Sequence, residues 1–424
     1  MKSIMSFLER YFVPVAGRVG AQRHLVAIRD GFCSLMPILI AGSFAVLINN
    51  LPIQRYQLFM VDVFGEGWKT FGGNIWWGSF ALISVYLAFS IAYFLSKSYG
   101  RDGLAAGIIS LASFFILVPQ ASPTGGWGDI SWTFTNSGAM FVAILVALIS
   151  TEIFVKLSNS KHLVITMPEG VPPAVSGSFE SLIPGIMVLS IFAVLAIFIA
   201  RIPDGNLFVF INRVVAAPLR DVADSLGSAV LIVFMNQLLW FFGLHGSNII
   251  GGIIEPVLLP LIEANMAAVN AGAEPTYIVT KVMLDTFVYM GGSGATLGLI
   301  IAGIISAKRA EHREVIKLGT APGLFNINEP IMYGFPMVLN PFMLIPFIFG
   351  PVIMVIFTYM MMKIGFCPKT VAIVPWTFPS VIGAIFATAS IRGGIVALIN
   401  LIFSVVMYFP FIGALERHKN SMES

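Results

Sequence analysis

The chain has 424 residues, of which 57% are hydrophobic and only 11% charged, with 24 lysines and arginines against 21 acids for a formal net charge of +3. With a mean hydropathy of +0.90, it is not an ordinary soluble protein, whose surface takes roughly twice that charge. The basic residues sit at segment ends rather than in patches, which argues against a nucleic-acid surface and for a role in membrane orientation.

Long unbroken apolar runs predict an all-α polytopic membrane protein, because barrel strands are short and alternating. Residues 1–30 set Ile4, Phe7, Leu8, Phe12 and Val15 against polar neighbours, the pattern of a helix lying on the membrane surface. They lack the apolar core of a cleavable signal peptide. Apolar runs follow at 31–51, 78–95, 104–118, 138–157 and 182–200. Arg10, Arg18, Arg23 and Arg29 precede or open the first run, and the connector 119–137 holds no lysine or arginine, so the N-terminus is expected in the cytoplasm. Trp68, Trp76 and Trp77 suit headgroup-level anchors.

At 201–226 the pattern changes. Arg213, Arg220, Asp221 and Asp224 alternate with apolar residues, too polar to span and periodic enough to lie in the interface. This stretch is the expected amphipathic linker between an N-terminal half, 1–200, and a C-terminal half, 227–424. Beyond it, runs at 227–244, 283–306, 342–364, 371–391 and 394–415 read as spans, giving about ten in all at about 20 residues each. The charged loop 308–317 and the end at Arg417, His418 and Lys419 place the C-terminus in the cytoplasm as well.

The stretch 318–341, LGTAPGLFNINEPIMYGFPMVLNP, is long enough to enter a membrane, yet four prolines, three glycines and one acid, Glu329, keep it from being one lipid-facing helix. Broken backbone plus an acid at membrane depth reads as a binding site. A shorter run, 246–261, carries IIEPVLLP, which echoes INEPIMYGFP, so the two are expected to form paired re-entrant hairpins.

Glu329 and His245 are the strongest candidates for chemistry. A carboxylate facing a sugar accepts a hydroxyl hydrogen bond and can take the proton as that oxygen attacks phosphorus. His245, in WFFGLHGSN, ends an apolar helix beside Gly246, which lets a ligand approach the backbone. Asn328 offers donor and acceptor, Trp240 and Trp376 offer apolar faces for sugar rings, and Gly292 and Ser293 lie in a glycine-rich loop that can present backbone donors. Glu152, Glu169 and Asp285 read as structurally paired acids, Asp285 with Lys281. Cys33 and Cys367 show no metal or redox spacing and are expected to pack as small apolar residues; no metal or cofactor is expected. No Walker A sequence is present, which argues against direct ATP drive.

Six segments carry a family resemblance: PVAGRVGAQRHLVAIRDGF at 14–32, LMPILIAGSF at 35–44, MPEGVPPAVSGSF at 167–179, LWFFGLHG at 239–246, GGSGATLGL at 291–299 and FNINEPIMYGFP at 325–336. Through them the chain resembles enzyme IIC, the membrane component of the bacterial phosphoenolpyruvate-dependent sugar phosphotransferase system, in its lactose, cellobiose and diacetylchitobiose branch. The resemblance implies a homodimeric permease in the bacterial cell membrane, with the first five helices forming most of the dimer contact and the later half holding a β-linked disaccharide between two re-entrant hairpins. It places Glu329 and His245 at the sugar 6-hydroxyl, with Trp240, Asn328 and Trp376 as further sugar contacts. It also implies that the phosphoryl group arrives from the phosphocysteine of a separate IIB protein fed by IIA, so the chain takes part in sugar phosphorylation only with those partners. The alternative from the residues alone is a proton-coupled secondary sugar transporter using Glu329.

Overall fold

The structure, a computed structural model, describes residues 10, 13–51, 53–120, 126–168, 170–201 and 206–423. Of the expected surface helix 1–30, residues 1–9 and 11–12 lie outside the described residues, as does Glu169; Val13–Gly20 forms a short helix, and 23–30 instead open the membrane-length helix Arg23–Asn49. Within them no strand forms. Seven helices are long and apolar enough to cross a membrane, among them Arg23–Asn49, Ser137–Ser158, Leu182–Ile199, Gly246–Val269, Pro341–Lys363 and Ile391–Arg417. An eighth arises if Leu207–Ala223 and Leu226–Phe241, bent by 84° at their junction, count as one. Gly103–Leu117 and Thr296–Ser306 are apolar but shorter, at 15 and 11 residues. At about 1.5 Å rise per residue, both fall short of a hydrocarbon core about 30 Å thick.

Two compact units are distinguishable. The first comprises 19–42 and 74–219; the second contains 43–73 and 220–424. The division between 219 and 220 falls inside the polar stretch 201–226, while 43–73 groups with the C-terminal residues. The helix Leu207–Ala223 buries Phe208, Ala216 and Ala223 and exposes Val209, Val214, Leu219 and Val222, as an interfacial helix would.

The first unit packs through small residues, which lets backbones approach where lipid gives helices no hydrophobic reason to associate. Gly107 faces the Phe89 ring, Gly31 faces Ile91, and the Ser110 hydroxyl donates to the Ala88 carbonyl at 2.7 Å. Asp102 caps Gly103–Leu117 by accepting from the Leu104 and Ala105 amides. Glu152 accepts from the Tyr99 hydroxyl at 2.5 Å and pairs with His24 Nε2 at 2.9 Å, the structural pairing expected of it.

In the second unit several sequence expectations change. Gly246–Asn270 is one 25-residue helix that passes through Pro256 and Pro260, so the echo at 253–260 marks no re-entrant hairpin. Each proline removes one helical hydrogen bond, leaving the Gly252 and Pro256 carbonyls without an amide one turn on, and the helix continues through both. The run 371–391 is also not a spanning helix. Pro375 and Pro379 hold 371–379 irregular, and only Ser380–Thr388 is helical. The Val371 amide folds back to donate to the Ala387 carbonyl at 2.7 Å.

The interruptions instead occur in two helix-break-helix segments. Lys281–Phe287 and Thr296–Ser306 flank a break at 288–295, where one span had been expected across 283–306. Ala310–Leu324 and Glu329–Gly334 flank a break at 325–328. Lys281 Nζ reaches Asp285 at 2.5 and 2.7 Å, the predicted pair. The C-terminal helix Ile391–Glu423 braces the first break: Asn400 Nδ2 donates to the Phe287 carbonyl at 2.9 Å and the Tyr408 hydroxyl to the Gly294 carbonyl at 2.6 Å. Cys367 is buried, its thiol pushed up to about 12 by burial, which makes it unreactive at neutral pH.

Candidate functional site

The break at 288–295 turns sharply because Gly291, Gly292, Gly294 and Ala295 all take positive φ, of 77, 98, 84 and 51°. Only glycine adopts such angles without steric cost. A Cβ on Gly292 would meet the Asn328 side chain at 2.7 Å, so the two breaks touch there. The Asn328 amide donates to the Ser293 carbonyl at 2.9 Å. Glu329 follows as the first residue of Glu329–Gly334, with Pro330 behind it, where a missing amide is harmless.

The opposing wall comes from the turn after Leu226–Phe241. Gly243, at φ 77°, reverses the chain, and His245 caps Gly246–Asn270, its Nδ1 accepting the Asn248 amide at 3.2 Å. With Nδ1 accepting, the neutral ring carries its proton on Nε2. That atom faces Glu329 Oε1 at 3.7 Å. The separation is too long for a direct hydrogen bond and leaves the pair able to share a substrate hydroxyl. The side chains of His245 and Glu329 are 36% and 47% exposed, whereas Asn328 and Ser293 are buried at 4% and 5%. The pair is therefore what a solute meets first.

Trp240 is only 2% exposed and packs its ring against His245, with centroids 4.2 Å apart. Here it supports the imidazole. Gly246 is required by close approach: a Cβ would lie 2.9 Å from the Trp240 ring and 2.7 Å from Asn236 Oδ1. Trp376 is half-buried and joins the site's frame through its carbonyl, which accepts from the Asn326 amide at 2.6 Å. Sequence reasoning missed Asn326, Asn236 and Ser247. Ser247 donates to Asn236 Oδ1 at 3.1 Å, and Asn236 Nδ2 donates to Ser293 Oγ at 3.0 Å, linking the His245 wall to the glycine break. The available signal was a lone Asn-Gln pair inside LIVFMNQLLW, since buried amides in an apolar helix need partners. A cleft in the other unit, lined by Tyr99, Lys156 and Asn159, centres on Glu152, whose carboxylate is already engaged.

Two helix breaks thus meet a helix cap, with an acid and an imidazole facing each other. The sequence profile of the Phosphotransferase system, EIIC matches residues 29–351. The chain belongs to this EIIC family. EIIC chains are multi-pass permeases of the bacterial inner membrane that act on a sugar together with IIA and IIB proteins. This EIIC chain is 38% identical to the lichenan permease IIC component of Bacillus subtilis over 100% of its own length and 96% of the relative's. It is 37% identical to the cellobiose-specific EIIC component of Geobacillus stearothermophilus, with the same coverage. The crystal structure of ChbC, the IIC component of the N,N'-diacetylchitobiose-specific system, superposes with a TM-score of 0.92 at 37% identity, covering 98% of this chain and 99% of that one.

Proposed function

We propose that this permease takes up a β-linked disaccharide of the cellobiose or diacetylchitobiose type and presents its 6-hydroxyl between Glu329 and His245 for phosphorylation. The observation that carries this reading is the exposed pair at 3.7 Å, framed by both helix breaks. The names of full-length relatives, for lichenan, cellobiose and diacetylchitobiose, support the substrate class. In the reaction, the 6-oxygen attacks the phosphorus carried on the IIB phosphocysteine. The new O–P bond forms as the S–P bond breaks, the thiolate stays on IIB, and the hydroxyl proton passes to Glu329. His245 Nε2–H orients the hydroxyl. Asn328, Gly246, Gly292, Ser293 and the two tryptophans, Trp240 and Trp376, complete the sugar's surroundings by contact or support. The product gains roughly −1.5 to −2 charges, which bars its return through an apolar barrier.

The same reading holds that residues 227–424 carry the substrate, that residues 1–200 form most of a homodimer contact among membrane lipids, and that both termini are cytoplasmic. The arginines before the first span and the charged residues 308–317 support that orientation.

Vesicles bearing the permease, supplied with IIA, IIB and the general phosphotransferase proteins, are expected to accumulate cellobiose or diacetylchitobiose as sugar phosphate. His245→Ala is expected to weaken sugar binding about tenfold or more, since a buried sugar hydroxyl loses a charge-assisted or neutral donor. Accumulation of free sugar without phosphotransferase proteins, abolished by a protonophore, would establish proton coupling instead.

A further inference from the structure

Asn326 is 7% exposed and takes the left-handed conformation, φ 61°. Every hydrogen-bonding position of its side chain is used. Oδ1 accepts the Gly291 amide at 2.8 Å and the Ser380 hydroxyl at 2.9 Å. Nδ2 donates to the carbonyls of Trp376 at 2.6 Å and Phe378 at 2.9 Å. Because an amide N–H and two carbonyls are unambiguous partners, they fix which end of the side chain is oxygen. One amide thus joins the glycine break at 288–295 and the irregular stretch 371–379 to the break that ends in Asn328 and Glu329.

We propose that Asn326 is a positioning residue for phosphoryl transfer, whose amide clamps three loops into one body and thereby fixes the Glu329 carboxylate. The inference rests on Glu329 acting as the base. Two features favour this over simple satisfaction of buried polar groups. The clamp ties the segment of Asn326 to two others far apart in sequence, and each of the three carries an expected sugar-site residue: Glu329, Ser293 and Trp376. And the clamp lies three residues from Glu329, on a segment with no regular structure of its own to hold it. Freed from the clamp, the 325–328 break keeps only the Asn328 bond to Ser293 and its local turn bonds. A shift of about 1 Å at the carboxylate is enough to lower turnover by about a hundredfold.

The test uses full-length protein in membranes with IIA and IIB, comparing wild type, Asn326→Gly and Asn326→Asp. Glycine keeps the positive φ and loses all four bonds. Aspartate keeps both accepted bonds and loses both donated ones. Steady-state sugar-phosphate formation gives kcat and KM, and equilibrium sugar binding without IIB counts the folded, binding-competent protomers. Both variants are expected to lose about 10- to 100-fold in kcat per binding-competent protomer, with the sugar Kd changed by less than about threefold. Wild-type turnover per binding-competent protomer in either variant overturns the proposal, as does failure of both to fold, which would make Asn326 structural. If the wild-type protein itself forms no sugar phosphate, the proposed function falls and takes this inference with it.

Discussion

Glu329→Gln is expected to bind sugar within about threefold of wild type yet lose a factor of about 10²–10⁴ in phosphorylation. The amide keeps the shape and one acceptor oxygen, so it still receives a hydroxyl hydrogen bond, but it takes no proton as the O–P bond forms. Its first-turn position at Glu329–Gly334, with Pro330 following, makes no structural demand on the charge. The half-exposed side chain also leaves folding little to lose. Sugar-phosphate formation with IIA and IIB, set beside equilibrium binding on the same preparation, separates the two effects. Undiminished phosphorylation by the glutamine variant would remove Glu329 from the reaction.

Gly291→Ala carries the second large effect, on stability. Gly291 takes φ 77°, and a Cβ there would lie 2.8 Å from the Leu297 Cα and against the Leu297 amide nitrogen, which are backbone atoms and cannot rotate away. The Leu297 amide is committed to the Met290 carbonyl at 3.1 Å, and the Thr296 hydroxyl donates to the Gly291 carbonyl at 2.5 Å. Left-handed strain and overpacking together are expected to cost roughly 2–6 kcal/mol. The variant should therefore unfold at a lower temperature and lose sugar binding together. Gly413→Ala is the matched control, since a Cβ there meets nothing within 4 Å. Equal unfolding midpoints for the two variants would contradict the tight turn described here.

How much of this was legible in the sequence varies by segment. The break around Glu329 was legible because its prolines crowd one short stretch: Pro322 lies in the last turn of Ala310–Leu324, Pro330 opens Glu329–Gly334 and Pro336 follows its end. The Lys281–Asp285 pair was legible from its i,i+4 spacing. The hairpin at 253–260 was misread because an internal proline removes a hydrogen bond without having to end a membrane helix, and Gly246–Asn270 runs through both prolines. The true second break, at 288–295, shows in sequence as a glycine-rich run inside an apolar stretch. Small residues also serve helix packing, so composition alone left both readings open. Trp240 read as a platform for a sugar ring and is buried against His245, because burial is a tertiary fact that one residue does not announce. Asn326 escaped for the same reason. Its four partners lie 35 to 54 residues away in sequence.

The central claim is that one carboxylate and one imidazole, held apart by interrupted helices, receive a sugar hydroxyl between them. A density map of the protein with cellobiose or diacetylchitobiose bound tests it most directly. The account predicts the sugar's 6-hydroxyl within about 3.2 Å of both Glu329 Oε1 and His245 Nε2. A sugar seated elsewhere, with Glu329 and His245 closed on each other in a direct ion pair, would contradict it.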